Sequence, residues 1–291
     1  MKTLILSFLR LYYSLYSVIS PRQAGAKAFR LFQKTRKLPL KKVEQEFYNQ
    51  ARPFEIKHPN ESIYAYETGN PDGKLVVLVH GWESNAGSMG AIANMLAHEG
   101  YRVVALDLPA HGQSKLTHTN LPACREALRA LIFHLNPTEP FSVVSHSFGS
   151  AVTAYALSGS RYEVDQFIML TSPNRLIDIF DEFKSTINLG QRAYQHLLNL
   201  TERILHERVE SSSVEEKARH IRVKNITILH DINDKVLPYA NSLRLGSKLP
   251  QAELITLKDV GHYRMLWNAD VIKRIRTKLN AAIKVEAVEM V

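Results

Sequence analysis

"FSVVSHSFGSAV", residues 141–152, runs an apolar segment into Ser147 and follows it at once with small, helix-compatible residues. Gly149 stands two places after Ser147, as in the G-x-S-x-G turn that lifts a serine hydroxyl clear of a strand end. Two places before it stands Ser145, where that turn has glycine. The stretch is either a presented nucleophile or a strand-to-helix turn that carries two serines. Which one depends on whether a base, an acid and an oxyanion hole arise at the same place.

Outward from this turn, apolar runs recur with helical stretches between them. LVVLV (75–79), YRVVALDL (101–108), FSVVSH (141–146), VDQFIMLTS (164–172), NITILHD (225–231) and AELITLKD (252–259) read as strands, the most apolar of them buried on both faces. FEIKH (54–58) and SIYAYET (62–68), joined by the turn PNE (59–61), alternate and read as an antiparallel pair. Helices are expected at 86–98, 121–135, 148–158, 239–247 and 267–284. This alternation implies βαβ units, and so an α/β fold with a mostly parallel sheet and helices on both faces. The long interval 174–220 carries only helical pattern and reads as a cap inserted after the sixth strand. The core is then 43–173 with 221–291.

At 291 residues, 45% apolar, the chain can bury a sizeable core. Its single Cys124 excludes an intrachain disulfide framework and fits a reducing compartment. The net charge of +9 belongs to one end. Residues 1–42 hold ten Lys or Arg and no acid; without those ten of the 37, 27 basic residues face 28 acidic ones. Nucleic-acid binding by the main body therefore has no electrostatic footing.

In the arm, Thr3, Ser7, Arg10, Ser14 and Ser17 make one narrow polar stripe on an otherwise apolar helix. After Pro21, Lys27, Arg30, Lys34 and Lys37 share a face. Two readings stay open: the arm docks on the body, or it lies on an anionic membrane surface as a peripheral contact. Arg10 and the lack of an A-x-A site argue against a secretory signal. Spanning would bury Arg10 at a cost of about 2.5–3.5 kcal/mol. The expected location is the cytoplasm, at the inner face of the membrane if the arm is an anchor.

In an open parallel sheet, ligands bind beyond the carboxyl ends of the strands. There the chain places His80-Gly81-Trp82-Glu83, then Ser147, then Asp234 in HDINDKVLP, then His262 in DVGHYRML. Serine, acid and histidine thus arise at one edge in that order. A serine hydroxyl becomes a nucleophile when a base near pKa 6.5 takes its proton, a carboxylate fixes the imidazole tautomer, and preplaced N–H groups receive the oxyanion.

VLVHGW, ALDLPAHGQS, VVSHSFGS, HDINDKVLP and DVGHYRML, in sequence over 53–285, resemble the serine hydrolases of the α/β-hydrolase fold. The similarity is to bacterial members of unassigned substrate with a short helical cap and an N-terminal helical extension, and it favours docking for the second arm segment. It implies Ser147 as nucleophile, His262 as base and Asp234 as acid, counted back from Pro238. Asp231, where the family often has glycine, is the alternative acid. It implies oxyanion N–H groups from Trp82 and Phe148, and a substrate pocket near His80, Gly81, Glu83 and His146. Supporting roles stay open for His80, orienting the oxyanion loop, and for His146, packing under the turn. His111 is implied as a structural turn residue, and Ser145 as a modest strain.

The expected reaction is hydrolysis of a small carboxylic ester or thioester through an acyl-enzyme, with no cofactor. No H-E-x-x-H or close cysteine pair suggests a metal. GNPDGK (69–74) is one residue short of a phosphate-binding loop. The rival readings are a lipase-like enzyme on membrane lipids, a carbon–carbon hydrolase or lyase on the same triad, and a non-enzymatic binding protein with this fold.

Overall fold

The structure, a computed structural model, describes residues 2–58 and 62–289; the turn expected over 59–61 lies outside them. Three helices come first: α1 (Lys2–Ile19), α2 (Pro21–Phe32) and α3 (Lys42–Gln50). The chain continues β1 (Arg52–Ile56), β2 (Ile63–Gly69), β3 (Leu75–Val79), α4 (Gly90–His98), β4 (Arg102–Leu106), α5 (Leu121–Leu135), β5 (Phe141–His146), α6 (Phe148–Leu157) and β6 (Val164–Leu170). Three helices then intervene, α7 (Leu176–Ile187), α8 (Gln191–Leu205) and α9 (Val214–Arg219). The fold closes with β7 (Val223–Asp231), α10 (Ala240–Lys248), β8 (Ala252–Leu257) and α11 (Ala269–Glu289).

The eight strands form one sheet in the order β1-β2-β4-β3-β5-β6-β7-β8. The β1–β2 and β2–β4 pairs are antiparallel and the other five are parallel. Because side chains alternate across a strand, Val77 and Val79 of β3 pack into one helical layer while Val76 and Leu78 pack into the other. All four are fully buried, which is why the run shows no polar alternation. Helix ends follow local chemistry: the Asn120 side chain accepts the Ala123 N–H to open α5, and left-handed Asn136 closes it.

The arm docks on the body through its polar stripe. Arg10 donates from Nε to the Thr186 carbonyl at 2.9 Å, and the Gly190 N–H donates to Ser17 Oγ at 3.0 Å. Ser17 and Tyr13 are buried. Gly25 of α2 lies so close to α8 that a Cβ there would stand 2.4 Å from the Ala193 carbonyl oxygen. The basic row expected at Lys27, Arg30, Lys34 and Lys37 does not continue as one helical face, because α2 ends at Phe32. Beyond it the chain pairs with a loop: Lys34 bridges His118, Thr35 Oγ1 donates to the Ala110 carbonyl at 2.8 Å, and the Lys37 ammonium reaches the Ser114 carbonyl. Among the described residues, no helix is long and apolar enough to cross a membrane.

Candidate active site

Ser147 sits between β5 and α6 at φ 52°, ψ −120°, a backbone that costs a non-glycine residue on the order of 1–3 kcal/mol. Its N–H donates to the Leu170 carbonyl at 3.1 Å, which holds the turn. A Cβ at Gly149 would stand 2.3 Å from the Val79 carbonyl oxygen, so the glycine two places after the serine is required. The expected strain at Ser145 does not appear. That residue has no positive φ, is fully buried, and its hydroxyl is hydrogen-bonded to Ser150 Oγ at 2.9 Å.

His262 Nε2 lies 3.1 Å from Ser147 Oγ, and His262 Nδ1 lies 2.8 Å from Asp234 Oδ2. A carboxylate only accepts, so Nδ1 carries the proton and the Nε2 lone pair faces the serine. Asp234 Oδ1 also accepts the Val236 and Leu237 N–H groups at 2.7 and 3.0 Å. Burial opposes its charge, but hydrogen bonds from His230, His262 and Val236 outweigh that and hold the carboxyl well below the usual range. It stays ionised throughout the pH range in which an imidazole works.

Asp231 has a different task. Fully buried, it accepts the Asn233 N–H at 2.8 Å and the Gly261 N–H at 2.5 Å, tying the acid loop to the residue before His262. Burial raises its pKa, and these backbone donors more than reverse that, leaving it lowered. Sequence reading missed the support around Asp234. Thr171 Oγ1 donates to Asp234 Oδ2 at 3.3 Å, and His230 Nε2 lies 3.5 Å from the same oxygen while its Nδ1 meets Ser242 Oγ at 2.6 Å. The only available signal was polarity inside two apolar strand ends.

The loop after β3 is set by a histidine. The Leu108 N–H donates to His80 Nε2 at 3.1 Å, so the ring proton is on Nδ1, which donates to the Gly81 carbonyl at 2.7 Å. In a trans peptide that carbonyl and the Trp82 N–H point opposite ways, so His80 aims the Trp82 N–H. The other N–H expected at the oxyanion position, that of Phe148, opens α6, where first-turn N–H groups have no intrahelical partner. Burial lowers the His80 pKa to about 4, which keeps the ring neutral in this role.

His146 donates from Nε2 to the His262 carbonyl at 2.9 Å. Burial, with His262 beside it, lowers its pKa to about 3. Buried His111 bonds the Pro109 carbonyl at 2.9 Å and packs edge-on to Trp82, also with a pKa lowered to about 3 by burial first and His80 second.

A cavity of about 800 Å³ opens over Ser147. Trp82, Phe148, Leu176, Phe180 and Phe183 line it together with Leu9, Phe29 and Phe32 from the arm, so its surface is mostly hydrocarbon. Of the four residues expected around the pocket, Glu83 is in its wall. His80, Gly81 and His146 are not; they are buried behind it and act on the loops. Glu83 is gripped by Arg36, whose Nε lies 2.8 and 2.9 Å from the two carboxylate oxygens and whose backbone N–H donates at 3.1 Å. Nothing in the basic arm marked Arg36 for this contact.

Sheet order, the strained turn and its strand-end surroundings are those of the α/β-hydrolase fold. The family model for serine aminopeptidase S33 matches residues 70–200, which include Ser147 and end before Asp234 and His262. A human serine hydrolase-like protein is 29% identical over 142 residues, covering 47% of this chain and 68% of its own. The Pyrococcus furiosus esterase Pf2001 superposes with a TM-score of 0.66 at 17% identity, covering 86% of this chain and 97% of its own. A bacterial membrane phospholipase A superposes at 0.62 with 16% identity, over 97% of this chain and 99% of its own. The chain has the α/β-hydrolase fold, and over residues 70–200 it is similar to the serine aminopeptidase S33 family.

Proposed function

We propose that this protein hydrolyses a carboxylic ester or thioester with an apolar acyl group, through an acyl-enzyme on Ser147. One observation carries this reading: Ser147 Oγ faces His262 Nε2 at 3.1 Å in the wall of an apolar cavity of about 800 Å³. A volume in the upper part of the range for small-molecule sites, with hydrocarbon walls, suits an acyl chain better than a polar acid. The esterase and phospholipase A among the structural neighbours are acyl-ester enzymes by name, and that substrate class fits this cavity.

In this mechanism His262 takes the Ser147 proton as Oγ adds to the carbonyl carbon. The oxyanion is received by the N–H groups of Trp82 and Phe148, and Asp234 stabilises the imidazolium. The imidazolium then protonates the leaving alcohol or thiol as its bond to the acyl carbon breaks. Water, deprotonated by His262, adds to the acyl-enzyme, and the same proton returns to Ser147 as the acid leaves. Helices α7–α9 act as the cap over this site, and α1–α2 complete its roof. No cofactor is needed. With one cysteine in the chain, a reducing compartment suits the protein, and we place it in the cytoplasm.

The test is labelling of the full chain by a fluorophosphonate probe, with Ser147→Ala and His262→Ala in parallel, followed by 4-nitrophenyl esters of increasing chain length. The reading requires labelling that vanishes in Ser147→Ala, drops in His262→Ala, and a kcat/KM that rises with acyl length. A folded wild type that does not label leaves the binding-protein reading in its place.

A further inference from the structure

The inward and outward faces of α1 are the reverse of an ordinary surface helix. Two of its polar residues are held by the body, where Arg10 reaches the Thr186 carbonyl and Ser17 is buried against Gly190. Its large apolar residues turn away: Leu4, Ile5, Phe8, Leu11, Tyr12, Leu15, Val18 and Ile19 are between 44% and 83% exposed. A single exposed leucine needs no explanation, but eight on one helix form a continuous patch that water covers at a cost. The opposite edge of the helix is already used, since Leu9 lines the cavity.

Cations border the patch. Lys27 of α2 is fully exposed and its ammonium lies 3.1 Å from the Tyr12 hydroxyl and 5.0 Å from the Tyr16 ring centre. Arg22 and Arg30 of the same helix are exposed, and residues 1–42 contain no acid. We propose that this face docks on an anionic lipid bilayer, with α1 lying in the interfacial plane and the cations of α2 meeting the headgroups. An apolar stripe edged by Lys and Arg is what an interfacial helix presents to acyl chains and anionic headgroups. A second copy of the chain fits less well. In a two-fold contact the same surface meets itself, so the basic border of one copy would oppose the basic border of the other. The docking does not depend on the hydrolytic reading, and its test needs no turnover.

The experiment is co-sedimentation of the full chain with sucrose-loaded vesicles of phosphatidylcholine alone or phosphatidylcholine mixed with phosphatidylglycerol, with analytical ultracentrifugation of the lipid-free protein beside it. The expected result is a monomer that partitions roughly tenfold or more in favour of the phosphatidylglycerol vesicles and loses that preference in high salt. Leu11→Glu with Leu15→Glu should abolish sedimentation while leaving the melting temperature unchanged, because both side chains already face out. Lys27→Glu with Arg30→Glu should weaken it about tenfold. Phe133→Glu, at a residue 71% exposed on α5, should leave binding as in wild type. Three outcomes overturn the proposal. They are wild type remaining in the supernatant with both vesicles, binding that survives Leu11→Glu/Leu15→Glu, and a lipid-free dimer that those substitutions split.

Discussion

In the sheet, Val76, Leu78, Val77 and Val79 are fully buried between two helical layers, while Ser147, His262 and Asp234 at the strand ends are half-buried or buried and hydrogen-bonded in series. On α1, Arg10 and Ser17 turn inward and Leu4, Phe8, Leu11 and Leu15 face out. Both regions obey the same rule, that a polar group leaving water needs a partner. They differ in what stands on the other side. The sheet is covered by this chain's own helices, so its apolar residues and its partnered polar groups share one interior. The helix α1 is covered on one side only, and Arg10 and Ser17 make hydrogen bonds in that contact. The candidate chemistry is built where the chain closes on itself, and the proposed docking face where it does not.

The sharpest way to break this contrast is at the strand ends. Asp234→Asn should lower kcat by about 10⁴-fold, as loss of the acid that fixes the His tautomer does. Asp231→Asn should leave kcat within about tenfold and cost about 1–3 kcal/mol of stability, since two N–H groups lose a charged acceptor. Equal losses of kcat in the two variants would mean that the acid is misassigned. His80→Phe comes next. With the Gly81 carbonyl released, the Trp82 N–H loses its aim, and kcat should fall by about 10²–10³ with little change in KM. A change confined to KM would make His80 a binding residue instead.

The buried histidines also predict how stability depends on pH. His80, with a pKa lowered to about 4, and His111 and His146, each lowered to about 3, sit below the unfolded value near 6.5. In that window the unfolded chain binds protons that the folded one refuses, so stability is full above about pH 6.5 and falls as pH drops toward 4. His80 alone is worth on the order of 3 kcal/mol over that span. Denaturant unfolding at pH 7 and pH 4.5 reads it; identical midpoints would contradict neutral, buried rings.

The smallest effect is expected where the arm meets the site. Arg36 is 72% exposed at its side chain, so Arg36→Ala should cost no more than about 1 kcal/mol. Because it grips Glu83, next to Trp82, kcat should still fall, by less than about tenfold. A loss of stability with kcat unchanged would make the grip structural only.

Much of this was legible beforehand because periodicity reports burial. Continuous apolar runs gave the parallel strands, alternation gave the antiparallel pair, and serine, acid and histidine at successive strand ends gave the candidate constellation. The resemblance to the family implied Asp234 as the acid with Asp231 as the alternative, and the chain pairs His262 Nδ1 with Asp234; the Asp231 contact to the Gly261 N–H, across 30 positions, had no signal in the sequence. His80 and His146 looked like pocket residues because they flank the site in sequence. Both rings are buried and lie behind the cavity, His80 bonded to the Leu108 N–H and His146 to the His262 carbonyl. The helix α1 showed its polar stripe in sequence without showing which way the stripe would face.

The sequence by itself determined the α/β order of elements, the strained turn around Ser147 and the concentration of positive charge in the arm. Each of these is written in local pattern. Tertiary structure alone decided that Arg36 grips Glu83, that the arm closes an apolar cavity of about 800 Å³, that His80 aims the Trp82 N–H, and that the apolar face of α1 points outward. Each of these is a contact between segments far apart in the chain, fixed by packing that no local pattern encodes.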